Sequence, residues 1–221
     1  MAEPKPNPQT IRIFERDQDQ NTKPTPPKHQ NLRDILSVAG ILVSAVVLAF
    51  CLITFVFQSY QVSGPSMQTT LQNGDHLIIW KVGKTFASLT HRDYIPGRGD
   101  VIVFHAPNRI DASHPEGEQL IKRVIALPGE RVTVKKGYVT VYNKEHPEGF
   151  QPDKTLPYGK VIPTTPGDID LTLGKSQIFV CGDNRNNSID SRASEVGPVD
   201  SKYIVGKLIV RVLPLNSAKR F

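Results

Sequence analysis

An apolar run without a single charged residue constrains this chain more than any other feature. It extends from Ile35 to Phe57 and contains 23 residues, ILSVAGILVSAVVLAFCLITFVF. As an α-helix the run would be roughly 34 Å long, which is enough to cross a hydrocarbon core of about 30 Å. A helix buried in a soluble core would have a polar face, and a cleavable signal peptide has a shorter apolar region. We therefore predict one uncleaved transmembrane helix over residues 35–57.

Basic residues flank this predicted helix on one side only. Those that lie shortly before it are Arg16, Lys23, Lys28 and Arg33. Residues 58–77, which follow the helix, contain no lysine or arginine. Because positive charge is retained on the cytoplasmic side of a membrane, we expect the N-terminus inside and residues 58–221 outside. The membrane would be a plasma (inner) membrane or one of the thylakoid type.

The segment before the helix and the net charge have simple interpretations. Residues 1–34 contain six of the 18 prolines and few large apolar side chains, so we predict a disordered cytoplasmic tail. The formal net charge of the chain is +6. The basic residues are scattered and are not interleaved with aromatic residues, which argues against a nucleic-acid partner. Beside a membrane, a mild positive excess favours contact with membrane lipid.

Beyond residue 57 the sequence is typical of β structure. Short β-branched segments bounded by turn residues predict strands at 76–82, 100–104, 119–126, 131–135, 138–142, 176–181 and 203–212. The fourth and fifth of these are separated by Lys136-Gly137, which predicts a hairpin. Residues 145–170 are rich in Pro, Gly, Thr and Lys and are expected to form a cap or insertion. We therefore expect a mostly β, antiparallel, partly barrel-like domain over residues 58–221, preceded by one transmembrane α-helix.

Ser66 is the first candidate for a chemical role. It follows a Gly64-Pro65 pair, which fixes the local backbone and can present the hydroxyl in one geometry. Eight residues separate it from Phe57, at most about 28 Å of extended chain, so we expect it near the bilayer surface. The alternative is a structural role in a turn or as the cap of a short helix. The six histidines show no hydrolase arrangement, so a catalytic serine would need another base.

Lys122 is the candidate for that base. Neighbouring side chains of a strand point to opposite faces, so either Lys122 or Arg123 is expected to face the apolar side of the sheet. Burial lowers the pKa of a lysine and makes its neutral amine available as a general base. A serine–lysine pair is an established alternative to the serine–histidine arrangement. The competing interpretation is an exposed charge on an edge strand.

The densest polar cluster of the chain follows a predicted strand, at Gly182–Arg192. It contains two carboxylates, Asp183 and Asp190, that could each pair with an arginine. The candidate arginines are Arg123, Arg185 and Arg192. Ser188 or Ser191 could hydrogen-bond a lysine amine and orient it. As an isolated segment, the cluster is equally compatible with a solvated turn.

The two cysteines do not indicate a disulfide or a metal site. Cys51 lies in the predicted membrane span and Cys181 far along the exported part, so the two cannot readily meet. We therefore expect no intrachain disulfide. Cys181 lies among apolar residues and is interpreted as a buried thiol, and neither cysteine has the spacing of a metal ligand.

Five motifs follow the membrane segment in a recognisable order. They are Ser63–Leu71, Gly74–His76, Arg98–Phe104, Ile121–Glu130 and Gly182–Arg192. Together they resemble the type I signal peptidase (leader peptidase) family, which has a serine–lysine dyad. The resemblance implies a membrane-anchored serine endopeptidase that removes signal peptides from secretory precursor proteins, with small residues before the cleavage site. It implies neither a metal ion nor another cofactor.

The same resemblance implies roles for individual residues. Ser66 would be the nucleophile and Lys122 the general base, with Ser188 holding the lysine amine. Met67 would line the pocket for a small substrate side chain. The residues that would brace the site are Arg123, Asp183, Asp190 and Arg192.

One position departs from the family pattern. Some members have a serine two residues before the nucleophile, where its hydroxyl helps to stabilise the oxyanion. In this chain that position is Gly64. The backbone N–H of Ser66, aided by a main-chain group at Gly64, would therefore carry more of that role.

Two other functions would use the same features. A self-cleaving, repressor-like Ser–Lys protease would share the chemistry, but a bilayer span stands here in place of its N-terminal DNA-binding helices. A non-catalytic, membrane-anchored β domain that binds exported chains would require the serine and the lysine to be incidental.

Overall fold

A long apolar helix precedes two antiparallel β sheets in the structure, a computed structural model that describes residues 28–110, 113, 115, 117–158, 162 and 164–221. Helix α1, Lys28–Cys51, continues as a π-helical turn over Leu52–Val56. Residues 28–34 are therefore helical, which corrects the predicted boundary of the disordered tail. The rest of that tail, residues 1–27, lies outside the described residues.

Helix α1 and the turn after it include the predicted membrane segment. Leu32–Val56 is the one helical segment of the described chain that is long and apolar enough to cross a membrane. A helix satisfies every backbone N–H and C=O within the segment, which an apolar medium demands. The apolar side chains of this segment, such as Val46 and Phe50, are exposed. The segment ends at Val56, because the next residue begins a strand.

Eleven strands are present in the described residues. In chain order they are β1 Phe57–Gln61, β2 His76–Trp80, β3 Val101–Ala106, β4 Glu118–Ala126, β5 Arg131–Lys135, β6 Tyr138–Tyr142, β7 Ile169–Thr172, β8 Gln177–Cys181, β9 Val199–Asp200, β10 Ile204–Leu213 and β11 Lys219–Arg220. The larger sheet has the order β1-β2-β10-β3-β4-β8-β9, and β11 pairs with β10. All strand pairs are antiparallel, as predicted.

The smaller sheet has the order β6-β5-β7. Its β5–β6 hairpin confirms the predicted turn at Lys136-Gly137, where both residues have positive φ, 53° and 84°. The predicted cap, residues 145–170, begins with a bridge between Val141 and Phe150 and ends in β7. Between them the chain forms a short helix, Pro152–Thr155. This segment is therefore tied to the smaller sheet at both ends.

A second helix was not predicted from the sequence. Helix α2 covers Val82–Leu89, where β2 was expected to continue to Val82. Since α2 is the second helix of the chain, the short helix Pro152–Thr155 is called α3. Eight residues are too few for a helical period to stand out from the surrounding pattern.

Strand β4 carries the chain from the edge of the larger sheet into its core. Val124 packs in one buried apolar cluster and Ile125 and Ala126 in another, so both faces of this half of the strand are covered. Lys122 and Arg123 come immediately before these residues and are buried themselves. The sheet therefore brings two basic side chains into apolar surroundings.

Candidate active site

The loop between β1 and β2 carries Ser66. Two main-chain bonds of 2.9 Å close this loop, from the N–H of Val62 to the carbonyl of Asp75 and from the N–H of Gly74 to the carbonyl of Val62. Gly64 has a φ of 88°, a conformation that residues with side chains rarely adopt. The closed loop and this sharp bend hold Ser66 half-buried in one place.

Ser66 and Lys122 are in direct contact. The Nζ atom of Lys122 lies 2.9 Å from the Oγ atom of Ser66, and also 2.9 Å from the carbonyl oxygen of Ile121. Lys122 is only 3% exposed. Among the described residues it has no carboxylate within ion-pair distance, although its arginine neighbour does. The structure thus places a buried amine without an ion pair against a serine hydroxyl.

This burial changes the acidity of the amine. Loss of hydration lowers the pKa of Lys122 from 10.5 to about 8. The charges of Asp190 and Glu118 favour the ammonium form and limit the change. With a pKa of about 8, roughly a tenth of the amine is neutral at pH 7. In that form Nζ can accept the proton of the Ser66 hydroxyl along the same contact.

Arg123 reaches different partners from Lys122. Its Nε and Nη2 atoms donate to the two oxygens of Asp183, at 2.8 and 2.5 Å, and Nη1 donates to the carbonyl of Gly99 at 2.7 Å. The guanidinium lies 4.4 Å from the centre of the Tyr158 ring. Asp183 also accepts a 2.5 Å bond from the hydroxyl of Thr70. This bidentate pair ties β4, the serine loop and the start of the polar loop together.

The buried carboxylate of Asp190 organises the polar loop, residues 182–192. It accepts bonds from the N–H of Gly182 at 2.9 Å and the hydroxyl of Ser188 at 2.8 Å. Arg192 donates two further bonds of 2.8 Å. Burial alone would raise the pKa of Asp190, but the hydrogen bonds and charge of Arg192 outweigh it, and the pKa is lowered. Asp190 is therefore ionised and closes the loop on itself.

The polar loop packs directly on the serine. The N–H of Asn184 donates to the carbonyl of Ser66 at 3.0 Å. A Cβ atom on Gly182 would clash with the Ser66 carbonyl oxygen and with the hydroxyl of Ser188. Only glycine permits this close approach, so Gly182 sets the distance between the loop and the serine.

The two serines of the loop make contacts that the sequence left open. The Ser188 hydroxyl donates to Asp190, so its predicted bond to the amine of Lys122 stays a prediction. The Ser191 hydroxyl accepts a 3.0 Å bond from the N–H of Val180 and is buried. Of the two, Ser188 is the one beside Ser66, because both approach Gly182.

Arg185 has a partner that sequence reasoning missed. Its guanidinium is fully buried and forms a bidentate pair with Asp153, the second residue of α3. It also donates to the hydroxyl of Thr165 at 2.5 Å and the carbonyl of Gly182 at 3.0 Å. A buried guanidinium requires a carboxylate partner, and this rule was the one indication that Arg185 would form an ion pair. It could not single out Asp153, which lies 32 residues away.

The N–H groups of Ser66 and Gly64, the main-chain donors nearest the expected oxyanion, differ in whether they already have a partner. The N–H of Gly64 donates to the side chain of Asn73 at 2.9 Å, so it is engaged and cannot assist in this geometry. The N–H of Ser66 makes no hydrogen bond within the described part of the chain. It is therefore a free main-chain donor for an oxyanion at this site.

A groove of about 170 Å³ has both Ser66 and Lys122 in its lining. Residues 60–63 form one wall and residues 118–122 of β4 the other, with Leu77 and Val103 between them. Met67 is 1% exposed, packs in the core with Val62 and Leu77, and is not part of this lining. The predicted role of Met67 in the substrate pocket therefore stays a prediction.

Both cysteines are free thiols. Cys181 is a buried free thiol, as predicted, and Cys51 is free and exposed. No group of three or more His, Cys, Asp or Glu among the described residues is placed to hold a metal ion.

Comparisons with known proteins point to one family. The family model described as signal peptidase, peptidase S26, matches residues 35–213. Signal peptidase I of Leptolyngbya laminosa is 37% identical over 176 residues, 78% of this chain and 76% of that protein. Signal peptidase I of Bacillus caldolyticus is 35% identical over 181 residues, 78% of this chain and 88% of that protein. A solved signal peptidase I from Enterococcus faecalis V583 is 26% identical and covers 52% of this chain and 97% of that one, with a TM-score of 0.39.

The chain belongs to the signal peptidase I family, peptidase S26, and is an enzyme of that family. The predicted family and the mostly antiparallel β fold after one apolar helix are thereby confirmed. The apolar helix and the family together fit a membrane-anchored protein.

Proposed function

We propose that this chain is a serine endopeptidase that cleaves signal peptides from exported precursor proteins, with Ser66 as nucleophile and Lys122 as general base. The observation that carries the proposal is the 2.9 Å contact between Lys122 Nζ and Ser66 Oγ in a site where the lysine is buried. Membership of the signal peptidase I family supports the reaction and the class of substrate.

The proposed reaction has two halves. In the first, Nζ of Lys122 takes the hydroxyl proton while Oγ of Ser66 attacks the scissile carbonyl carbon, and the N–H of Ser66 stabilises the oxyanion. The C–N bond then breaks, and the proton passes from Lys122 to the departing amine, the new N-terminus of the mature protein. In the second half, Lys122 takes a proton from water, which attacks the carbonyl carbon of the ester that now joins the signal peptide to Oγ of Ser66. The bond between this carbon and Oγ breaks, the proton passes from Lys122 to Oγ, and the signal peptide leaves as a carboxylic acid.

The groove suits an extended substrate with small side chains. Its walls are the end of β1 with the residues after it and the first half of β4, so a peptide between them could pair with main-chain groups as an added strand. A volume of about 170 Å³ leaves little room for large side chains near Ser66. Both features match a precursor with small residues before the cleavage site.

The proposed setting is a plasma (inner) or thylakoid-type membrane. The basic residues before the apolar run 35–57 and their absence just after it support a cytoplasmic N-terminus and an exported β domain. In that arrangement the enzyme would meet precursors whose signal segments are still held in the bilayer.

The non-catalytic alternative explains the site less well. Burying a lysine without a carboxylate partner opposes folding, because the charged form loses its hydration. A protein that only bound exported chains would gain nothing from such a lysine beside a serine. A base of lowered pKa does require it.

The test is cleavage of a model secretory precursor by the full chain in liposomes. Ser66→Ala and Lys122→Met should each abolish processing while circular dichroism shows an unchanged fold. The matched controls are Ser194→Ala and Lys175→Met, which alter exposed residues and should process at the wild-type rate. Near wild-type processing by either dyad variant would show that the assigned residue is not required and would refute the proposal.

A further inference from the structure

The serine loop, between β1 and β2, lines a second, larger cavity besides the groove. The part of the loop up to Ser66 lines the groove, and the part from Thr69 onward lines a cavity of about 1270 Å³. On β4 the change falls between adjacent residues, because Lys122 lines the groove and Arg123 lines the cavity. The larger cavity therefore begins next to the two residues of the proposed dyad.

Two other strands of the larger sheet show the same order. Strand β3 places Val103 at the groove and Val101, the residue that pairs with Arg123, at the cavity. Strand β2 places Leu77 at the groove and His76 at the cavity. The groove and the cavity therefore adjoin along one boundary that crosses the sheet beside the serine.

The lining of the cavity is strongly basic, whereas that of the groove is not. Among the residues that the structure describes, the groove lining holds one carboxylate, Glu118, and one amine, Lys122. The cavity lining holds two carboxylates, Asp75 and Asp100. Its six lysines and arginines are Arg98, Arg123, Lys207, Arg211, Lys219 and Arg220. Such a lining favours an occupant with negative charge.

Two of these six basic side chains are available to a ligand. Each of the other four pairs with a carboxylate of the protein. Lys219 and Arg220 are exposed and form no ion pair within the described part of the chain. Main-chain bonds nevertheless hold them in place, because β11 pairs with β10 and the N–H of Phe221 donates to the carbonyl of Ile209 at 2.9 Å. The cavity thus has two fixed basic residues without a carboxylate partner.

We propose that the cavity binds the first residues of the mature part of the precursor and selects acidic side chains there, with Lys219 and Arg220 as their partners. This rests on the proposed function, in which the residues before the cleavage site occupy the groove. The chain after the scissile bond then leaves the groove past Ser66. An extended peptide is the occupant that the shared boundary favours, since a single inorganic anion would fill little of a cavity of about 1270 Å³.

The reach of an extended peptide agrees with this assignment. Thr69 is the third residue after Ser66, so their Cα atoms are at most about 11 Å apart. An extended peptide advances about 3.3 Å per residue. The polar loop covers a different part of the serine, where the N–H of Asn184 donates to the carbonyl of Ser66 at 3.0 Å. The third or fourth residue after the scissile bond is therefore the first to meet the basic lining.

The expected gain lies in substrate binding. The new ion pairs form away from the scissile bond, so they stabilise the bound substrate and the transition state equally. An acidic substrate should therefore have a several-fold higher kcat/KM, mainly through a lower KM. Because Lys219 and Arg220 are exposed, salt should reduce this gain.

The test compares two soluble peptides that differ only at the third and fourth residues after the scissile bond, Asp-Asp in one and Asn-Asn in the other. The enzyme is the full chain in detergent, as the wild type and as Lys219→Gln/Arg220→Gln. The matched control is Lys144→Gln/Lys175→Gln, which removes two exposed charges that line neither the groove nor the cavity. A third peptide carries the Asp pair about ten residues farther along, roughly 30 Å away when extended.

The wild type and the control variant should cleave the Asp-Asp peptide with a several-fold higher kcat/KM than the Asn-Asn peptide. Lys219→Gln/Arg220→Gln should reduce this ratio to about one. Equal kcat/KM for the two peptides in the wild type, or an unchanged ratio in Lys219→Gln/Arg220→Gln, would overturn the inference.

The third peptide separates a site from general attraction. An equal preference for the distant Asp pair would show attraction to a basic chain as a whole, and would overturn the inference as well. A wild type that cleaves none of the peptides would instead contradict the proposed function, so the two failures are distinguishable.

Discussion

Replacing Lys122 with methionine should stabilise the fold at neutral pH while it abolishes cleavage. The pKa of this amine is about 8 in the folded protein and 10.5 in the unfolded chain. Between these values the unfolded state binds more protons, so the stability of the wild type rises with pH across this window. Below it, the lysine lowers stability by about 3 kcal/mol, the equivalent of that difference in pKa. Methionine has a similar length and cannot ionise, so the variant lacks this cost.

The loss of two hydrogen bonds opposes part of the stability gained by Lys122→Met. Lys122 donates to Ser66 and to the carbonyl of Ile121, and each lost bond is worth about 1 kcal/mol. That loss hardly varies with pH. The informative quantity is therefore how the stability difference between the variant and the wild type changes with pH. Between about pH 6.5 and about pH 9.5 the advantage of Lys122→Met should shrink by about 2 kcal/mol.

The assay is urea unfolding of the full chain in detergent micelles at both pH values, followed by the fluorescence of Trp80. The matched control is Lys175→Met, at an exposed lysine, whose stability relative to the wild type should be the same at both pH values. A constant difference between Lys122→Met and the wild type would refute the reasoning, because it would mean that burial does not lower the pKa of Lys122.

Two further predictions concern the polar loop. Asp153→Asn should lower the melting temperature in differential scanning fluorimetry, corresponding to about 3–5 kcal/mol, because it leaves the buried charge of Arg185 unpaired. Asp170→Asn, at an exposed ion pair, should lower it much less, and equal losses would contradict this view. Gly182→Ala should lower kcat on a soluble peptide at least about tenfold with its circular dichroism unchanged, because the new methyl group pushes the loop away from Ser66; a wild-type kcat would contradict the close approach.

The residues at the centre of the site could be predicted because local pattern determines them. Lys122 lies in a run of strand residues, and the alternation of a strand sends either Lys122 or Arg123 into apolar surroundings. In the structure both are buried, and each has a different partner. The Lys136-Gly137 turn was predictable for a similar reason, since it needs two residues that accept positive φ.

The residues that sequence reasoning missed depend on contacts between distant segments. Arg185 and Asp153 meet only because the segment with α3 folds back on the polar loop, and no local pattern encodes that contact. The direction in which Met67 points is set by how the serine loop packs on the sheet. The N–H of Gly64 could not be assigned until its bond to Asn73 was known.

The pH dependence of kcat/KM tests the central claim, that Lys122 is the general base, most directly. With the full chain and a soluble peptide substrate, kcat/KM should rise with pH along a limb with a pKa of about 8. Glu118→Gln should move this limb to lower pH, because the charge of Glu118 favours the protonated lysine. A limb near about 6.5, the usual value of a histidine, or a flat profile would contradict the assignment of Lys122.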